Sequence, residues 1–332
     1  MSGKLLKKYS AVEGGFSYVG AVAAFLVVTV IYSFAVGALE EGSAVYEVVS
    51  FLFNILIQLC FLVAALLPAR NLGSRMTYTF AKPTVRGVVS AAVLTVVCVV
   101  GFEGLALAFN YMLSSLGYTG GGIVSMAGAL AIVFAVVRTV LAAPVCEELL
   151  LRGSVLSSLA VCGEMKRGLR IPFMVAVSGL MFALIHMNPQ QTVYQFFFGC
   201  ALAYVTIRFG SIVPAIIMHA LNNAIGIVLS VPAVDGALSG WINGVFASGW
   251  GLGVFIAVSA ALAVMAALVI RFVGRRFGGL EPESPEPHTG RTEDFENYAD
   301  DGGTLAGTIM FIVGAVICLI MWVSRLVTGL GA

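Results

Sequence analysis

The sequence predicts an all-α, polytopic transmembrane bundle, and three observations carry that reading. The 332 residues are 60% hydrophobic and 11% charged, with a mean hydropathy of +1.01. Soluble chains carry roughly 25% charged residues, so too little polar surface remains to face water and lipid is the solvent that fits. Long uncharged stretches recur along the chain, and about 20 apolar residues suffice to cross a bilayer. Finally, Lys and Arg gather in alternate loops between those stretches.

Taken in order, the crossings fall at 16–39, 48–69, 87–113 and 124–151, the last two with charges inside them. Residues 171–207 hold no charge beyond a possible one on His186, and Pro189 divides them into a fifth and a sixth crossing. Residues 209–234, with His219 inside, make a seventh; 251–270 and 302–324 follow. About 8–9 spanning helices are therefore expected, each needing about 20 residues. The first segment is too long for a signal-peptide core and lacks a small-residue cleavage site, so it reads as a retained helix. Lys4, Lys7 and Lys8 precede the first crossing; Arg70, Arg75, Lys82 and Arg86 follow the second. Arg152, Lys166, Arg167 and Arg170 follow the fourth, Arg208 the sixth, and Arg271, Arg275 and Arg276 the eighth. The positive-inside rule then places the N-terminus in the cytoplasm and the C-terminus outside.

Five stretches result: N-terminal helices over 1–123, a central core over 124–231, a further transmembrane helix within 232–280, a linker over 281–301 and a C-terminal helix within 302–332. The linker holds Pro282, Pro285, Pro287 and eight acidic residues; it cannot bury a core and reads as a flexible cytoplasmic tether, with His288 in it outside any chemistry. The six cysteines are scattered and show no paired metal spacing, which suits small buried hydrophobes. Gly120, Gly121 and Gly122 are followed by no Lys-Ser/Thr, so no phosphate loop is read there. The partners expected are membrane lipid and a protein or peptide substrate, with no nucleic acid.

Ionisable residues inside a membrane are costly and mark function. The fourth segment ends Glu147-Glu148-Leu149-Leu150-Leu151-Arg152-Gly153. Glu148 and Arg152 are four apart, share a helix face and can pair; Glu147 is turned by about 100° and is free for proton transfer. The fifth segment places Phe182 and His186 on one face, where the ring can shield and orient the imidazole. The seventh does the same for His219 and Asn223, with Asn222 pointing elsewhere. A carboxylate, two imidazoles and an amide are the parts that activate water and stabilise an oxyanion. There is no Gly-x-Ser-x-Gly, no His-Glu-x-x-His and no transmembrane Asp pair, which argues against serine, zinc-helix and aspartyl mechanisms. Rise along the helices sets Glu147 about 8 Å inside Arg152, His219 about 12 Å inside Ser211 and His186 about 21 Å beyond Pro172. Those depths disagree unless the fifth helix tilts or bends at Ser178-Gly179. Glu103 and Arg138 come out at similar depth, about 24 and 21 Å in, which suggests an ion pair.

Glu147-Glu148-x-x-x-Arg152, Phe182-x-x-x-His186 and His219-x-x-x-Asn223, in this order, resemble the CPBP family of CAAX-processing and bacteriocin-processing intramembrane proteases. The resemblance covers roughly 124–229. It implies peptide-bond hydrolysis in a cavity open to the cytoplasm, with Glu147 and His186 activating water, His219 and Asn223 stabilising the oxyanion, and Glu148, Arg152 and Phe182 supporting the site. The family has been described both as metalloproteases and as metal-independent glutamate proteases. If zinc is the cofactor, Glu147, His186 and His219 would be its ligands with one position left for water. Two other readings stand beside this one: a non-catalytic bacteriocin-immunity or regulatory protein of the same fold, and a secondary transporter, for which internal repeats would be expected.

Overall fold

A backbone in lipid has to satisfy its own hydrogen bonds, which helices do internally. In the computed structural model, which describes residues 7–72, 74–82, 84–120, 129–160, 167–248, 250–278 and 303–331, nearly every long element is a helix. These are α1 (Ala11–Val36), α2 (Ala44–Leu72), α3 (Val85–Ser115), α4 (129–159), α5 (Arg167–Ile185), α6 (Thr192–Phe209), α7 (Val213–Leu229), α8 (Pro232–Ala247), α9 (Gly251–Phe277) and α10 (Gly303–Leu330). Seven of them are long and apolar enough to cross a membrane, and α5 and α7 are shorter apolar helices. The polytopic bundle is as expected. The acidic linker, His288, Cys162 and Lys166 lie outside the described residues.

Two boundaries differ from the expectation. Helix α7 stops at Leu229, and Pro232 begins a separate helix, α8. Proline has no N–H to donate and is suited to the first turn of a helix, so the break is written at Pro232. The stretch 232–280 therefore holds two helices where one was expected. The second difference matters more. Arg152 does not end the fourth crossing: α4 runs on to Leu159, and Arg152 is wholly buried within it. It belongs to the interior and not to the basic loops.

Helix α4 has an uneven bonding register. Two π-helical stretches, Val136–Ala142 and Leu149–Val155, flank the α-helical turn Ala143–Glu148 that carries both glutamates. Such turns are usually found at functional positions. The helix is surrounded by α1, α2, α5 and α7, and residues 146–159 along it are buried without a break.

Small residues let the other helices close around it, as is usual where lipid removes the hydrophobic drive between helices. A Cβ on Gly307 of α10 would lie 2.2 Å from the carbonyl carbon of Ala11. Gly179 of α5 and Gly199 of α6 meet closely, a Cβ on Gly199 lying 3.0 Å from the Gly179 Cα.

The loops that carry Lys and Arg gather at one end of the bundle. A two-residue parallel ladder joins β1 (Lys7–Lys8) to β2 (Ser74–Arg75). The same α2–α3 loop donates its Thr77 and Tyr78 backbone N–H groups to the Ser157 hydroxyl at the end of α4. Its Thr79 bridges to Ser211 between α6 and α7. Burial pushes the Tyr78 phenol up to about 12, against the opposing pull of Arg170 at the start of α5. Arg208 donates to the Gly274 carbonyl of α9. At the opposite end, Thr119 after α3 donates to the carbonyl of Gly329 in α10. The alternation of loops read from the sequence is thus built into the packing.

Candidate active site

The site is assembled around the buried turn of α4. Glu148 and Arg152 are both fully buried and pair at 2.9 Å. The other guanidinium nitrogen donates to the Gly199 carbonyl at 2.9 Å, and the guanidinium carbon lies 4.7 Å from the centroid of the Phe182 ring. The same Glu148 oxygen that accepts from Arg152 also accepts from His219 Nδ1, again at 2.9 Å. One carboxylate oxygen thus ties α4 to α7 and decides which imidazole nitrogen is free. With Nδ1 committed to Glu148, His219 Nε2 faces Glu147 Oε2 at 3.9 Å. Fixing one ring nitrogen with a carboxylate is how the reactive nitrogen of a histidine is oriented in many sites.

Glu147 points elsewhere, as its offset on the helix requires. Its Oε1 accepts from Gln58 Nε2 of α2 at 3.3 Å, and its Oε2 is buried with no hydrogen-bond partner. Phe182 stands between the two imidazoles, its ring edge-on to His186 at 4.8 Å and to His219 at 5.5 Å between centroids. His186 Nδ1 donates to the Phe182 carbonyl at 2.7 Å, which leaves Nε2 as its free nitrogen. Its charge environment is made by Glu147, His219 and Arg152. Glu147, Glu148, Arg152, Phe182, His186 and His219 therefore meet at one place.

The depth disagreement is largely removed by the longer α4. From Leu159, Glu147 lies about 18 Å up the helix instead of about 8 Å from an end at Arg152. Helix α5 is continuous through Ser178 and Gly179, so no bend is needed there; Gly179 serves the close approach of α6. His186 follows the last residue of α5, and Met187 next to it takes a positive φ of 48°.

Asn223 occupies a place the sequence did not suggest. Its Nδ2 donates to the Thr139 carbonyl at 2.8 Å. In the first π stretch the Ala143 N–H bonds to the Arg138 carbonyl, so the next bond in that register would run from residue 144 to Thr139. Residue 144 is proline and has no N–H. The Asn223 amide fills the carbonyl that Pro144 leaves open, keeping a second N–H for other use. Asn222 accepts from the Tyr194 hydroxyl of α6.

The expected Glu103–Arg138 pair does not form: among the described residues the ion pairs join only Arg152 and His219 to the two glutamates of α4. Arg138 donates to its neighbour Thr139 and feels the charge of Glu47 on α2, while Glu103 lies near Tyr194. Similar depth gave no information on which way each side chain points around its helix. Gln58 was missed, although an amide inside an uncharged crossing was an available signal.

Two carboxylates, an imidazole and a guanidinium are thus buried together within a helical bundle. Residues 129–225 match the family model described as type II CAAX prenyl endopeptidase Rce1-like. The match runs from the start of α4 to within α7 and contains all seven motif residues; α1–α3 and α8–α10 lie outside it. No curated protein and no solved structure matches the chain.

Proposed function

We propose that the protein is an intramembrane endopeptidase that hydrolyses a peptide bond in a membrane-associated protein or peptide, with Glu147 as the general base. The observation that carries this is the division of labour between adjacent carboxylates. Glu148 is consumed by Arg152 and His219, while Glu147 keeps a buried, unpartnered oxygen beside His219 Nε2. Glu147 takes a proton from water as its oxygen adds to the carbonyl carbon. His186 assists from its place within electrostatic reach of Glu147. The oxyanion that forms accepts a hydrogen bond from Nε2–H of a doubly protonated His219, whose positive charge the Glu148 carboxylate supports, and from the remaining Asn223 N–H. The C–N bond then breaks, and the proton on Glu147 passes to the leaving amine, closing the cycle.

Zinc fits this arrangement poorly. Among the described residues no three His, Cys, Asp or Glu side chains form a metal-ligand group, so no step is derived through a metal. The substrate class is either a prenylated CAAX protein or a leader-bearing peptide. The test uses purified protein with an internally quenched farnesylated CAAX peptide, alongside mass spectrometry of newly formed peptide termini in cells. Cleavage should disappear in Glu147→Ala and His219→Ala at equal membrane levels and persist with a chelator. Unchanged termini in both stable variants would return the protein to a non-catalytic role.

A further inference from the structure

The family match begins at residue 129, yet the nearest polar neighbour of Glu147 comes from α2. We infer that Gln58 is a positioning residue of the reaction: it fixes the carboxylate of Glu147 and orients the attacking water. This rests on the catalytic reading of Glu147 proposed above.

Three observations support it. Gln58 is only 9% exposed, although it lies in the middle of an apolar crossing where a polar side chain is costly. Phe61 and Ala65 on the same helix are buried with it, so this face of α2 packs inward and the amide is held there. Its Nε2 donates to Glu147 Oε1. That bond leaves one rotational choice for the carboxylate and turns Oε2 toward His219. Second, Gln58 Oε1 and Glu147 Oε2 are both buried and have no hydrogen-bond partner. Leaving such acceptors unmade is unfavourable in a native interior. Two acceptors belonging to one bonded pair suit a molecule with two O–H donors. Water meets that need: one hydrogen goes to Glu147 Oε2, to which it is transferred, and the other to Gln58 Oε1. The lone pair that attacks the carbonyl carbon is thereby aimed. Third, the alternative neighbours of α2 at this level are already engaged: Asn54, one turn away, donates to the Ser50 carbonyl of its own helix. Gln58 is the amide from outside the matched segment that reaches the base.

The experiment compares Gln58→Leu, Gln58→His and wild type on the internally quenched farnesylated CAAX peptide, with unfolding followed in parallel. Gln58→Leu should lower kcat by tenfold or more, within the roughly 10²–10⁴-fold scale of general-base catalysis, while KM stays within about twofold, since uniform binding is untouched. Gln58→His, which keeps an N–H donor of similar reach, should recover a substantial part of kcat. An unchanged kcat in Gln58→Leu overturns the inference. So does a loss that follows stability and is no smaller in Gln58→His. If wild type does not cleave this peptide, the CAAX-substrate reading fails by itself, and a second measurement decides on Gln58. The side-chain amide NMR signal of Gln58, identified by its loss in Gln58→Leu, should move in Glu147→Gln and stay in place in Glu103→Gln. A signal indifferent to Glu147→Gln overturns the positioning contact.

Discussion

Replacing Arg152 with Met separates what holds the site together from what performs chemistry. The guanidinium makes a 2.9 Å pair with Glu148, a 2.9 Å bond to the Gly199 carbonyl and a stacking contact with Phe182, all without solvent. Removing it leaves a buried carboxylate with His219 as its remaining partner. Breaking a buried ion pair from one side costs about 3–5 kcal/mol, a large part of the 5–15 kcal/mol typical of a folded domain. Arg152→Met should therefore unfold at clearly lower denaturant in mixed micelles and lose cleavage. The double variant Glu148→Leu/Arg152→Met replaces the pair with apolar groups of similar size, a change that is often neutral or stabilising. Its stability should recover most of that loss, falling short of wild type by about 1–3 kcal/mol, the cost of the unpaired buried His219 Nδ1. Cleavage should stay lost, because His219 Nδ1 no longer has its carboxylate. The reasoning fails if Arg152→Met is as stable as wild type, or if the double variant cleaves normally.

Two further outcomes follow from the same geometry. Asn223→Leu uncovers the Thr139 carbonyl that Pro144 cannot serve, at a cost of about 0.5–1.5 kcal/mol for a part-buried hydrogen bond; hydrogen exchange should speed up around 136–144 in this variant, and a rate equal to wild type would show the bond to be dispensable. Gly307→Ala puts a Cβ 2.2 Å from the Ala11 backbone, so α1 and α10 must part, with a loss of about 1–3 kcal/mol typical of overpacking and a measurable increase in spin-label distance between the two helices.

The crossings were legible because charge is expensive in lipid, and the motif residues were legible for the same reason. The Glu148–Arg152 pair followed from four-residue spacing on a helix. The end of α4 was not legible, because a charge was taken to mark the membrane surface, whereas Arg152 is neutralised in place and Ser154, Ser157 and Ser158 carry the buried helix on to Leu159. Depth along a helix was computable from rise per residue, but direction around it was not; hence Arg138 feels the charge of Glu47 and makes no ion pair with Glu103. The first π register left one trace in the sequence, Pro144, which becomes readable only once the Thr139 carbonyl and Asn223 are seen together.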